Sequence, residues 1–315
     1  MTIQYIEPLS QSISRMKRAL FKPCDLTVWF TVGFTAFLAG LTNMGFSSGP
    51  SFRGQSSRFE LEQVFSFPQR AWEWLMNNPG WATLIAVAVF VLFVIGIVLS
   101  WLSSRGKFMF LDNVVLNRSR VVAPWYEYKA EANSFFLWTF VWGLMWLALF
   151  IVFVFYVFTY MQTLYERSGN AKALILPAVL AGLVFFFISI INLFIFTLLT
   201  HFVVPIMYRD RITTWKALQK FFPTFMSNVF HFIGYALFLF CLWVLIVVAI
   251  VIAGCVTCCC GFLILMIPYI NAVVLLPISY TLRAFGVEFL EQFGPEYRIF
   301  PNPDIIPPAP LQASV

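Results

Sequence analysis

The chain has 315 residues, 61% of them apolar or aromatic (AVILMFWYC) and only 11% charged, with a formal charge of +6. Soluble domains run at about 45–50% apolar and about 25% charged, so water cannot solvate a surface built from this mixture, and lipid is the solvent for most of the chain. A water-soluble domain is thereby excluded, and the positive balance does not argue for nucleic acid, because the charges sit in loops between apolar runs.

Met1 to Leu20 contains Glu7, Arg15, Lys17 and Arg18 and no apolar h-region, so no cleavable signal peptide is expected. Residues 1–25 read as a cytoplasmic amphipathic segment, with Ile13, Met16, Leu20 and Phe21 opposed by Arg15, Arg18 and Lys22. A bilayer core of about 30 Å needs about 20 apolar residues in a helix. Six stretches qualify: Leu26–Asn43, Trp81–Ser103, Asn133–Met161, Ile175–Met207, Asn228–Gly254 and Gly261–Phe285. The first would act as an uncleaved signal-anchor. It is short and the third and fourth are long, so tilt or extension beyond the bilayer is expected.

Residues 26–293 are thus predicted to form an all-α polytopic membrane helix bundle, six transmembrane helices in three hairpins with interfacial amphipathic helices. The outer loop, 45–80, opens on a Ser/Gly/Pro tract at Ser47–Ser57. A short helix around Pro68–Met76 follows, with Trp72, Trp74 and Trp81 suited to an aromatic belt. The cytoplasmic elbows are 104–132 and 208–227. In the first, Phe108, Phe110, Leu111, Val114 and Val115 alternate with polar groups; in the second, Trp215, Leu218, Phe221 and Phe222 lie among Lys216 and Lys220. Helices of this kind lie in the headgroup plane. Each precedes a pair of spans, so the chain divides into three units of interfacial helix plus hairpin. The internal likeness, Asn133-Ser134-Phe135-Phe136 against Ser227-Asn228-Val229-Phe230, is weak. The tail, 294–315, is Pro-rich and expected to be extended.

Fifteen Lys and Arg residues fall on one side of these spans: Arg15, Lys17, Arg18, Lys22, Arg105, Lys107, Arg118, Arg120, Lys129, Arg209, Arg211, Lys216, Lys220, Arg283 and Arg298. Five fall on the other: Arg53, Arg58, Arg70, Arg167 and Lys172. The positive-inside rule puts the fifteen in the cytoplasm, and an even number of spans returns both termini there.

All fourteen Asp and Glu residues fall outside the proposed hydrocarbon region, and no Lys or Arg stands at a span centre. Ion-coupled transport and carboxylate-based intramembrane hydrolysis are therefore disfavoured. Weak metal candidates are His201 and His231, at the cytoplasmic boundary without a third ligand, and Cys255 and Cys258 of the run Cys255–Cys260. Adjacent thiolates in that run diverge, which favours a tight apolar turn of small hydrophobes. No metal, cofactor or catalytic residue is therefore expected. Asn192, Thr197 and Thr200 in the fourth span and Asn271, Ser279 and Tyr280 in the sixth are polar groups inside lipid. Asn192, Thr197, Asn271 and Tyr280 could line a ligand seam, or could make interhelical hydrogen bonds. Pro268 and Pro277 should kink the sixth helix. The anionic-lipid candidates are Arg105, Lys107, Arg118, Arg120, Lys216 and Lys220.

The segment SSRGKFMFLDNVVLNRSRVVAPWYEYKAEANSFFLW at Ser103–Trp138 resembles the central signature of an uncharacterised bacterial family of multi-span integral membrane proteins. ALFKPCDLTVWFTVGFTAFLAGL at Ala19–Leu41 and VVLLPISYTLRAFGVEFLEQFGPEY at Val273–Tyr297 fit the same family. The resemblance implies no activity and no catalytic residues. The helical pattern is also remotely similar to the membrane domain attached to some glycerophosphodiester phosphodiesterases, without their hydrolase domain, which implies lipid association. The expected function is non-enzymatic: a scaffold or accessory subunit of a membrane complex in the bacterial inner membrane, touching anionic headgroups and possible partner subunits. The alternative is a permease or flippase-like carrier of an apolar or lipidic substrate.

Overall fold

A computed structural model describes residues 3–22, 25–42, 61–257 and 265–301, and among these it is helical, with no strand. The helices are α1 (Ile6–Phe21), α2 (Leu26–Gly40), α3 (Leu61–Asn77), α4 (Pro79–Leu116), α5 (Val122–Glu127), α6 (Lys129–Ser168), α7 (Ile175–Leu198), α8 (Val204–Asp210), α9 (Thr214–Ser227), α10 (Val229–Val256), α11 (Pro268–Val274) and α12 (Leu276–Glu291). Short 3₁₀ turns cover Ala171–Leu174 and Pro295–Tyr297, and one π-turn, Leu199–Val203, joins α7 to α8.

Four helical stretches are long and apolar enough to cross a membrane: Pro79–Leu116, Lys129–Ser168, Lys172–Asp210 and Val229–Val256. The pair α11 and α12, bent by 64°, makes a fifth if it counts as one span. The bend falls where Pro277 removes an N–H from the second position of α12 and its ring disfavours continuous helix through the preceding turn. These are the helices of a multi-pass membrane protein. The fifteen residues of α2 cover about 22 Å, short of the roughly 30 Å core. At 40 residues, α6 is about 60 Å long and overshoots it.

The chain divides into two compact units. The first comprises Met1–Thr42, Trp101–Phe136 and Phe194–Val315; the second comprises Asn43–Ser100 and Leu137–Leu193. All fifteen basic residues assigned above to the cytoplasmic side belong to the first unit, and of the others the described Arg70, Arg167 and Lys172 belong to the second. A division made by packing thus coincides with one made by charge.

Around its buried ends the first unit is densely packed. α1 lies along α12 and α2 along α11. The N-cap Asp25 starts α2 by accepting from the Thr27 N–H at 2.8 Å. α2 and α4 approach so closely at Gly106 that a Cβ there would stand 2.4 Å from the Ala39 amide nitrogen. Small residues let membrane helices meet in this way. Ser103 adds a hydrogen bond from Oγ to the Ala39 carbonyl at 2.9 Å.

In the second unit, the apolar faces of α4, α6 and α7 point outward. Phe90, Val152, Phe155 and Phe187 are each more than 60% exposed in the isolated chain, a surface for lipid to cover. Two open apolar hollows of about 420 and 380 Å³ lie between α3 and α6, the second reaching Ala178 of α7, and are lined by Phe65, Pro68, Phe150, Val154 and Phe158 among others.

Several expectations change. The stretch Phe108–Val115 is not a separate interfacial helix. It continues α4, and every residue from Ser103 to Val115 is buried. Nothing in it breaks a helix, and α4 stops only past Leu116, where Asn117 takes a left-handed φ of 47°. The N-terminal helix packs onto α12, burying Pro8, Ser12 and Leu20 while Phe21 stays exposed. The tail begins folded, not extended: the Ile299 and Phe300 amides both donate to Glu291 Oε1 at 2.6 Å, and Tyr297 and Phe300 are buried. The outer helix, α3, is longer than expected, and its Trp72 and Trp74 are exposed. The Ser47–Ser57 tract, residues 302–315 and Cys258–Cys260 lie outside the described residues.

Candidate functional site

Among its described residues the first unit buries six charged side chains: Arg105, Lys107, Asp112, Glu131, Arg283 and Glu288. Burying a charge costs several kcal/mol unless it is paired, so each one calls for its partner to be found.

Asp112, on the last turns of α4, is fully buried. Its carboxylate accepts from Arg118 Nε at 3.0 Å and Nη2 at 2.9 Å, from the Tyr208 hydroxyl at 3.0 Å and from the Tyr128 hydroxyl at 3.3 Å. The two tyrosine rings stack at 4.8 Å, and the Arg211 guanidinium covers Tyr128 at 3.9 Å. Burial pushes the Tyr128 phenol up to about 12, so at neutral pH it keeps its proton and donates. Arg211, the left-handed cap of α8 (φ 54°), also pairs with Glu127 and stands 3.9 Å from Glu131. The knot ties α4, α5, α6 and α8 together at one carboxylate. With both oxygens already occupied, Asp112 is a strut rather than a base.

Glu288 is answered by Arg15 Nε at 2.5 Å, which joins α1 to α12. Two further bonds between Gln4 and Gln292, each 2.9 Å, continue that seam.

The three buried cations have no carboxylate partner among the described residues. Arg105 Nη1 donates to the Trp125 carbonyl at 2.8 Å and Nη2 to Asn133 Oδ1 at 3.3 Å, between the rings of Trp101 and Trp125. Arg283, on α12, donates to the Thr200 carbonyl at 2.6 Å and the Lys107 carbonyl at 3.2 Å, leaving Nε without a partner. The π-turn explains the first of these bonds: widening the helix at Leu199–Val203 takes carbonyls out of the regular i→i−4 ladder and presents one to a side chain. Lys107 Nζ stands 4.8 Å from the centre of the Phe196 ring and 5.1 Å from that of Phe135.

The sequence-predicted residues scatter across this arrangement. Arg105 and Lys107 are buried among aromatic rings, and Arg118 is held by Asp112, so a helix placing all three in the headgroup plane does not form. Arg120 and Lys216 are exposed, and Lys220 pairs with Asp210 at 2.5 Å. Asn192 belongs to the second unit and accepts from Trp142 Nε1 at 3.0 Å. Thr197, Asn271 and Tyr280 belong to the first, where Tyr280 donates to the Val114 carbonyl at 3.2 Å. His201 Nδ1 meets the Tyr235 hydroxyl at 2.9 Å, while His231 offers its backbone carbonyl to Tyr5 at 3.3 Å. Cys255 is exposed and unbridged, and among the described residues no three His, Cys, Asp or Glu side chains gather as a metal site.

Sequence reasoning passed over Asp112, Tyr128, Tyr208, Arg283 and Glu288. No local signal marked them, since Tyr128 and Tyr208 stand 16 and 96 residues from Asp112.

Over residues 3–298 the chain matches the family described as "Family of unknown function (DUF7544)". No curated protein and no solved structure matches it. The likeness to the membrane domain of glycerophosphodiester phosphodiesterases accordingly rests on helical pattern alone. With a match that covers nearly its whole length, the chain belongs to this family of unknown function.

Proposed function

We propose that the protein is a non-enzymatic scaffold or accessory subunit of a membrane complex, whose basic unit contacts anionic lipid on the cytoplasmic side of a bacterial inner membrane. One observation carries this: the unit that gathers all fifteen basic residues spends its buried carboxylates on structural ties and leaves Lys17, Arg18, Lys22, Arg120, Lys129 and Lys216 exposed. Each Lys or Arg near an anionic surface contributes about 1 kcal/mol. Purification in mild detergent tests the reading. Wild type is expected to retain anionic phospholipid and partner subunits, and an Arg120→Gln/Lys216→Gln variant to retain less of the lipid. An unchanged lipid profile would leave these charges a role in insertion alone.

Both termini are proposed to be cytoplasmic. Support comes from Arg15–Glu288 and Gln4–Gln292, which bond the helix before the first proposed span to the end of the last. The number of spans bears on this too. α2 packs on α11, with the Tyr269 hydroxyl donating to the Phe30 carbonyl at 3.0 Å and its ring against Phe34 and Phe37. Two elements so joined share a depth, so both cross or neither does, and six spans or four are equally even. We favour six. Single-cysteine labelling in intact cells should leave position 120 unmodified by an impermeant reagent and modify position 167; the reverse pattern sinks the topology.

The second reading, a carrier of an apolar or lipidic substrate, is favoured by the broken helix α11–α12 and by the π-turn whose Thr200 carbonyl accepts from Arg283 of α12, since discontinuous helices line sites in transporters. Reconstituted vesicles that move a fluorescent phospholipid between leaflets would select it over the scaffold.

A further inference from the structure

Lys107 is only 5% exposed, and among the described residues its ammonium lies against aromatic rings and pairs with no carboxylate. Those rings are Phe135 from α6 and Phe196 from α7. A second uncompensated cation adjoins it, because Arg283 donates to the carbonyl of Lys107 itself and keeps a buried Nε–H unpartnered. Cation–π contact recovers less than the burial of an ammonium costs. Two neighbouring cations in one interior call for an anion.

Depth suggests which anion. The apolar run of α4, Trp81–Trp101, rises about 30 Å, the thickness of a hydrocarbon core. Lys107 lies six residues further, about 9 Å, and its side chain leans back toward the helix N-terminus. Its ammonium therefore falls within the headgroup layer, which adds about 5–7 Å to each side of the core. We propose that Lys107 and Arg283 mark a specific site, where α4, α6, α7 and α12 meet, for the phosphate of a membrane phospholipid. Resting on the lipid-contacting reading above, the site deepens it: one held lipid, distinct from the screened surface charges.

The test is native mass spectrometry of delipidated full-length protein titrated with phosphatidylglycerol at about 1 M salt, where screening acts within about 3 Å and suppresses surface binding. Wild type and Lys107→Arg are expected to hold one lipid per chain. Lys107→Met, similar in size but needing no counterion, should bind it about tenfold more weakly. The Arg120→Gln/Lys216→Gln variant should lose lipid at low salt only, so a failure of the surface reading and a failure of this one are told apart. Phosphatidylglycerol should also raise the melting temperature of wild type, a readout independent of any variant's folding. Undiminished binding by Lys107→Met overturns the proposal, as does the absence of a melting shift in wild type. Displacement of the lipid by inorganic phosphate would assign the site to the free anion and overturn the lipid.

Discussion

At Gly106, in the first unit, an added Cβ would meet the backbone of α2, and at Gly286 it would stand 3.0 Å from His201 Nδ1. At Gly96, Gly143 and Gly182, in the second, it would meet nothing within 4 Å. Polar groups divide the same way. The first unit buries Asp112, Arg283 and Glu288 in shared bonds, whereas the described side-chain contacts between helices of the second are largely ring on ring, such as Phe153 against Phe185 at 5.7 Å. Lipid tails are as apolar as Leu or Phe, so helices immersed in them gain little by close approach. Where charged and polar groups are buried they must be satisfied, and there close packing and polar ties decide the structure.

Removing the carboxylate at Asp112 should have the largest effect. Asp112→Ala strands Arg118 and two phenols, and breaking a buried pair costs about 3–5 kcal/mol. Thermal unfolding in detergent, followed by size-exclusion chromatography, should show a large drop. A shift no bigger than that of a second-unit variant would break the contrast between the units.

Next in size is the glycine pair. Gly106→Ala forces α2 and α4 apart at a backbone-to-backbone contact, and overpacking costs about 1–3 kcal/mol. Gly143→Ala should be neutral or gain about 0.5–1 kcal/mol from helix propensity. Melting temperatures that move in the same direction for both would contradict the packing difference.

The smallest effect sharpens the picture of the second unit. Asn192→Leu removes the acceptor of Trp142 Nε1, and interhelical hydrogen bonds in membranes average about 0.6 kcal/mol. A barely measurable melting shift is expected, and a loss approaching that of Asp112→Ala would mean the second unit is also held by polar ties.

Apolar run length and charge sorting, read from the sequence alone, determined the helical membrane class, the long spans and the set of fifteen basic residues that packing later gathered into one unit. These signals are local, because insertion into lipid depends on the length of an apolar run and the charges flanking it. The amphipathic alternation at Phe108–Val115 misled for the opposite reason. A helix with apolar and basic faces looks the same whether its partner is a bilayer surface or other helices, and only tertiary structure showed α2, α6 and α12 covering it. The Asp112 knot lay equally out of reach: Asp112 and Tyr208 are separated by 96 residues, and nothing in that spacing says that α4 and α8 will meet. Nor could the sequence show that Lys107 would be enclosed by Phe135 and Phe196, because which cations lose their water is decided by how the helices pack.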